Sequence, residues 1–188
     1  MRKYFYTLAF ILTTNVATIY SQSYQSSLMA EVAGLATNKK DYFSGKDDKE
    51  FISAYTLSYN GKIRLSSKYQ LVIRTGYFES SLINDSFFSG VQLGLFLRRK
   101  MIDSLFCSLG IDSKINFKGG HGTAFYTDPK RLSFLFGGTI GLKLNKDFSI
   151  LLSFYKTIDE NYGYGQTYET AYYKYLYWLM KLGVELNL

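Results

Sequence analysis

Residues 172–188, near the end of the chain, alternate strictly. Leu176, Trp178, Met180, Leu182, Val184, Leu186 and Leu188 occupy one parity, and Tyr175, Tyr177, Leu179, Lys181, Gly183, Glu185 and Asn187 the other. Successive side chains of a strand point to opposite faces, so this period of two predicts a strand with one wholly apolar face and one mixed face. A helix would scatter Lys181, Glu185 and Asn187 among the leucines. Strands of soluble domains are typically about 5–6 residues. A strand that crosses a membrane needs about 9–11 and carries this alternation of lipid-facing and lumen-facing positions.

The same alternation recurs upstream and predicts eight strands in all: 27–36, 51–65, 69–78, 90–98, 105–116, 132–144, 148–155 and 172–188. Their outward parities hold Leu57, Ile73, Leu95, Leu109, Phe136 and Leu152, and their inward parities hold glycines, serines and charges. Between them lie stretches 37–50, 66–68, 80–86, 99–104, 118–130, 145–147 and 158–170, which run long, short, moderate, short, long, short, long. An outer-membrane barrel has an even strand count, with longer loops at one end and tight turns at the other. The expected fold is therefore all-β, an eight-stranded antiparallel up-and-down transmembrane β-barrel. A soluble ligand-binding barrel would reverse the pattern and turn its apolar parity inward.

Composition sharpens this reading. An apolar fraction of 47% would pass for a soluble protein, which is how a barrel with a polar interior reads. Eighteen tyrosines and fifteen phenylalanines with a single proline, Pro129, suit sheets bounded by aromatic girdles. Residues 1–21 differ in kind. Arg2 and Lys3 precede the apolar run LAFILTTNVATIY, and Ser21 offers a small residue for cleavage, so a removable secretory signal peptide is expected there, with the barrel domain spanning 22–188. Removing it would take the formal charge from +7 to +5. No cysteine stands directly after the apolar run, and no lipid anchor is expected. Cys107 is the only cysteine, which excludes a disulfide framework and a cysteine-based metal site.

The apolar leader, the eight alternating strands and the closing strand together resemble the small OmpA/OmpX-type outer-membrane β-barrels, especially those common in Bacteroidetes-like bacteria. The resemblance is one of pattern over nearly all of the mature chain. It implies a place in the outer membrane of a Gram-negative cell envelope, contact with outer-membrane lipid and lipopolysaccharide, and insertion by the barrel-assembly machinery. No cofactor is implied, and tethering to the cell wall by a further domain is not.

Chemistry-bearing residues fall in three groups. The inward parities carry Glu31, Lys62, Arg64, Arg74, Gln92, Arg98, Asp112, Lys114, Lys143, Lys181 and Glu185. An eight-stranded barrel is just wide enough for side chains to fill, and buried charges must be paired, so these residues are expected to form an ion-paired plug. The alternative is a narrow, porin-like channel for ions or small solutes, with anion preference because bases outnumber acids. Of these bases, Lys62, Arg64, Arg98 and Lys143 lie toward the tight-turn ends of their strands. The second group is Tyr162, Tyr164 and Tyr168, with Tyr172, Tyr173, Tyr175 and Tyr177, around the last loop. They read as an outer aromatic girdle, or as a surface that binds sugar or peptide. The third is His121, the only histidine. It reads as a solvated loop residue, and Gly119, Gly120 and Gly122 beside it as flexible loop. With Ser133 and Asp128 it would be the only route to a lipid A-modifying triad. One histidine and one cysteine do not make a zinc site. Bases near the loop end, Lys39, Lys40, Lys118, Lys130, Arg131 and Lys174, could neutralise lipopolysaccharide phosphates. The expected role is structural, adhesive or surface-binding through the loops, not enzymatic, with no nucleic-acid partner and an external ligand that the sequence leaves open.

Overall fold

The computed structural model describes residues 24–41, 44–45, 47–81, 86–121, 126–129, 132–158, 161–166 and 171–188. The expected signal peptide lies outside them. Ten strands follow one another: β1 (Tyr24–Asp41), β2 (Asp47–Arg64), β3 (Tyr69–Ser81), β4 (Ser86–Lys100), β5 (Leu105–His121), β6 (Tyr126–Pro129), β7 (Leu132–Lys143), β8 (Phe148–Thr157), β9 (Asn161–Gln166) and β10 (Ala171–Asn187). Eight of them, β1–β5, β7, β8 and β10, form an antiparallel ring that closes where β1 pairs with β10, from Ser27 opposite Asn187 to Asp41 opposite Tyr172. Closure removes both sheet edges and satisfies the backbone of every spanning strand, as a bilayer demands.

The alternation read from the sequence sets the faces. Along β8 the odd residues from Ser149 to Thr157 are buried and the even ones from Phe148 to Lys156 are exposed. Leu57, Ile73, Leu95, Leu109, Ile140, Leu152 and Leu182 stand exposed on the outside, while lysines, arginines and carboxylates are buried inside. Such an inverted surface suits hydrocarbon rather than water. Aromatic residues flank the apolar band. Tyr24, Tyr59 and Tyr69 stand exposed toward one end, with the Tyr24 and Tyr59 hydroxyls hydrogen-bonded at 2.9 Å. Toward the other stand Tyr55, Tyr77, Phe154 and Trp178, the last two with ring centroids 4.8 Å apart. An arginine at the middle of this band, Leu152→Arg, is expected to cost about 2–4 kcal/mol in urea unfolding from lipid vesicles. A neutral result would mean that this face does not meet hydrocarbon.

One end is built of tight turns with built-in stops. Ser66 Oγ accepts the amides of Lys68 and Tyr69 at 3.3 and 3.1 Å, and Asn145 Oδ1 accepts those of Asp147 and Phe148 at 2.8 and 2.9 Å. These local side-chain bonds replace the ladder and reverse the chain. The opposite end departs from expectation. The stretch 37–50 was expected to be a long loop, yet β1 runs to Asp41 and β2 starts at Asp47. The connection between them is short and uses Gly45 at φ 66°, a conformation that favours glycine. Likewise β3 runs to Ser81 and β4 starts at Ser86, β5 runs to His121, and β6 and β9 form inside the stretches expected to be loops. Gly119 and Gly120 are thus strand residues, opposite Phe88 and Phe87, rather than loop.

Length explains the difference. The 18 residues of β1 or β2 span about 60 Å extended at about 3.3 Å per residue. Tilted by about 40°, such a strand still rises well above an apolar band about 25 Å tall. Beyond the band both faces meet water, so main-chain pairing continues without hydropathic alternation. There β8 has ended, and β9 takes its place beside β10, pairing Tyr173 with Tyr164, while β6 pairs with the outer edge of β9. A second departure is a bulge in β10. Ala36 pairs with Trp178 but Thr37 with Leu176, so Tyr177 is skipped. A bulge shifts the parity of everything on one side of it. Leu176, expected on the outward parity, instead pairs with a residue on the inward parity of β1, and Tyr175 is displaced with it.

Candidate functional site: the packed lumen

Inward positions on neighbouring strands lie opposite one another, so the register decides which charges meet. At the turn end, Glu185 of β10 faces β1 and β8, and its Oε1 accepts Ser27 Oγ at 2.7 Å, Lys62 Nζ at 3.0 Å, and Arg98 Nη2 and Asn60 Nδ2 at 3.2 Å each. Arg98 Nη1 reaches Oε2 at 3.1 Å, completing a bidentate fork. The guanidinium lies 4.1 Å from the centroid of the Phe106 ring. That ring in turn occupies the space over Gly141 on the next strand, where a Cβ would collide with it. Lys62 Nζ also donates to Asn187 Oδ1 at 2.6 Å.

Four residues further along β10 and β1, from Glu185 to Lys181 and from Ser27 to Glu31, is a second cluster. Lys181 Nζ donates to Glu31 Oε2 at 2.9 Å and to Gln92 Oε1 at 3.2 Å, and lies 3.9 Å from Asp112 Oδ2. Arg74 Nη1 is 4.0 Å from Glu31 Oε2 and donates to Tyr155 Oη at 3.2 Å. Ser153 Oγ donates to Glu31 Oε1 at 3.3 Å. Asn60 joins the two clusters, donating to Glu185 while its Oδ1 accepts Arg74 Nε at 3.2 Å. Rings pack against the cations. Arg74 lies 4.5 Å from the Phe96 centroid, and Phe96 meets Tyr155 edge-on at 6.2 Å. Tyr155 fits because Gly137 faces it across β7 and β8, with no room for a Cβ. Toward the loop end, Leu35, Leu135 and Leu179 join Ala33, Ala54, Val72, Phe96 and Tyr155 in one buried apolar cluster. Lys114 Nζ sits 4.5 Å from the Phe78 centroid.

Burial decides what this arrangement is. At mid-lumen Glu31 is 2% accessible, Arg74 2%, Asp112 0% and Lys181 1%. A water-filled pore would leave its charged lining wet. Among the described residues, five buried bases (Lys62, Arg74, Arg98, Lys114, Lys181) oppose three buried acids (Glu31, Asp112, Glu185), so this part of the lumen is positive on balance. Asp112 is the least satisfied member. Neither carboxylate oxygen accepts a hydrogen bond among the described residues, and Gln92 Nε2 and Ser133 Oγ are likewise unbonded.

Of the four bases placed toward the tight-turn ends, Lys62 and Arg98 are buried, while Arg64 and Lys143, each the last residue of its strand, are exposed and line the mouth at the turn end. Ser133 is buried in the lumen, while Asp128 belongs to β6. His121 closes β5 opposite Ser86, and Tyr162 and Tyr164 lie in β9. Tyr168, and the side chains of His121, Tyr162 and Tyr164, lie outside the described part of the structure. Beside the mouth, Lys100 bridges Asp103 at 2.6 Å, and this hydrogen bond and charge hold the exposed carboxyl below its usual range. The charges are legible as an inward list, and their partners Asn60, Phe96, Phe106 and Tyr155 lie on the same inward parity; which ring or amide meets which charge is set by interstrand register.

No family model and no curated protein matches the chain. Among solved structures it is similar to the outer membrane protein OprG from Pseudomonas aeruginosa, over 88% of this chain and 97% of that one, at 10% identity and a TM-score of 0.55. Ail, the attachment invasion locus protein of Yersinia pestis, aligns over 89% of this chain and 100% of its own at 12% identity and 0.45. Neisserial surface protein A aligns over 87% and 97% at 12% identity and 0.42. At the level of fold, the chain is a closed, eight-stranded antiparallel β-barrel, the architecture of an outer-membrane barrel.

Proposed function

We propose that this chain resides in the outer membrane as a sealed barrel and acts through its loop end, as a structural, adhesive or surface-binding protein. The burial of the four charged groups at mid-lumen carries this reading. With the lumen occupied by bonded side chains, the surfaces left for a partner are the two ends. The loop end is the larger, because β1, β2, β5 and β10 continue past the apolar band and β6 and β9 widen the sheet there. Its backbone segments carry Lys39, Lys40, Lys118 and Lys174 beside Tyr162, Tyr164, Tyr172 and Tyr173. That composition suits anionic lipopolysaccharide and sugar or peptide ligands. The loop end would face outward and the tight turns the periplasm.

Planar-bilayer recording tests the seal. Purified barrel is expected to give no steady open current, and a stable, ohmic conductance would replace this reading with the narrow-pore alternative. The enzymatic alternative needs His121 with a serine and an acid, yet Ser133 faces the closed lumen, away from lipid substrate. Lipid A from cells with and without the protein is expected to show the same acyl count by mass spectrometry. A change abolished by His121→Ala would establish the enzyme.

A further inference from the structure

At the turn end the lumen opens into a cleft of about 160 Å³. Six bases line it: Lys62, Arg64, Lys68, Lys100, Arg98 and Lys143. They come from the end of β2, the β2–β3 turn, the end of β4 and the end of β7, so four separate chain segments converge on one space. Two carboxylates line the same cleft, and both are already engaged. Glu185 is held by Lys62 and Arg98, and Asp103 by Lys100. Arg64, Lys68 and Lys143 have no carboxylate within ion-pair distance among the described residues. The cleft is therefore strongly positive after its internal pairs are counted. Arg98 lies at the floor of the cleft, only 6% accessible, with both of its Nη groups held by Glu185.

We propose that this mouth is a binding site for a phosphate-bearing anion. A cavity of about 160 Å³ is many times the ~10–15 Å³ that one water needs, enough for one oxyanion with part of its hydration shell. Phosphate offers several acceptor oxygens in different directions, which matches guanidinium and ammonium donors arriving from different segments. The low-dielectric wall below, made of Phe106 and Leu105, concentrates the field of the bases in the opening. Neutral donors from Ser66, Ser67, Gln70 and Asn187 surround the same space. The site is independent of what the loop end binds, and of which side of the membrane it faces.

The test is a titration of the whole barrel, in zwitterionic detergent free of phospholipid, with inorganic phosphate, read by calorimetry at constant ionic strength. Saturable binding at one site is expected, with a dissociation constant raised at least tenfold in Arg64→Gln/Lys143→Gln. Both substituted residues are exposed, so heat-modifiable gel migration should confirm that the variant remains a barrel. Lys68→Gln, in a turn, serves as a second variant and should weaken binding several-fold. Lys156→Gln, whose ammonium lies outside the barrel 5.7 Å from the Trp178 ring, should not change it. Absence of saturable binding would overturn the proposal, as would binding insensitive to the cleft variants or equally weakened by Lys156→Gln. A second arm identifies the source of the phosphate. If phosphatidylglycerol in nanodiscs competes with free phosphate, lipid head groups reach the mouth; if it does not, the ligand is a soluble phosphate-bearing molecule.

Discussion

Replacing Glu185 with alanine is expected to lower the unfolding free energy of the barrel by about 3–5 kcal/mol, the cost of leaving buried charge without its partner. The substitution strands two cations at once, because Lys62 and Arg98 both spend their charge on this carboxylate. It also removes the acceptor for Ser27 and Asn60. Through Asn60 the loss reaches Arg74, so the two clusters are coupled rather than independent. Lys62 and Arg98 also line the open mouth, where water enters as the carboxylate leaves, which places the effect toward the lower end of the range. Glu185→Gln keeps an acceptor oxygen and should cost clearly less. Urea unfolding from vesicles, followed by the single tryptophan, Trp178, measures both. A loss below about 1 kcal/mol for the alanine variant would mean that the pair contributes no more than an exposed one.

The fold was legible because a barrel in lipid writes its two faces into the sequence residue by residue. Leu182 and Lys181 are neighbours in the chain, and one meets hydrocarbon while the other is buried among charges. Eight strands followed from that rule alone, together with the tight turns at 66–68 and 145–147. The rule stops where the lipid stops. Past the band, residues such as Lys39 opposite Asp48 are held by backbone pairing, and neither periodicity nor hydropathy marks them. The same blindness hid the bulge at Tyr177, since skipping one residue changes parity without changing composition. Inside, parity gave the membership of the lumen but not its partnerships. Glu31 meets Lys181 and Glu185 meets Arg98 because of interstrand register, which the sequence of one strand does not contain. The role of glycine was also hidden. Gly141 and Gly137 looked like small inward residues, but they make room for Phe106 and Tyr155, the rings that pack against Arg98 and against Arg74 and Lys181.

Lys181→Ala should be as damaging as the loss of Glu185, and it separates two explanations of the seal. Lys181 is the closest cation to Glu31, at 2.9 Å, and the only ion-pair partner of Asp112 among the described residues. Without it Glu31 retains Arg74 at 4.0 Å, and Asp112 retains no ion pair. Two carboxylates then face each other in a site with almost no solvent access, and a loss of about 3–5 kcal/mol is expected. Lys181→Met keeps most of the volume without the charge, so the difference between the alanine and methionine variants measures the cavity rather than the ion pair. The double variant Glu31→Gln/Lys181→Met should lose less than the sum of its single changes, with a coupling of about 0.5–3 kcal/mol. Conductance is expected to behave differently from stability. The space vacated by the lysine lies against Tyr155 and Phe96, and beyond it stand Leu35, Leu135 and Leu179, none of which depends on the lysine's charge. A destabilised Lys181→Ala barrel should therefore still pass no steady current in a planar bilayer. If it did conduct, the ion pair rather than the packed rings and leucines would be what closes the lumen, and the barrel would be a pore held shut by a single salt bridge.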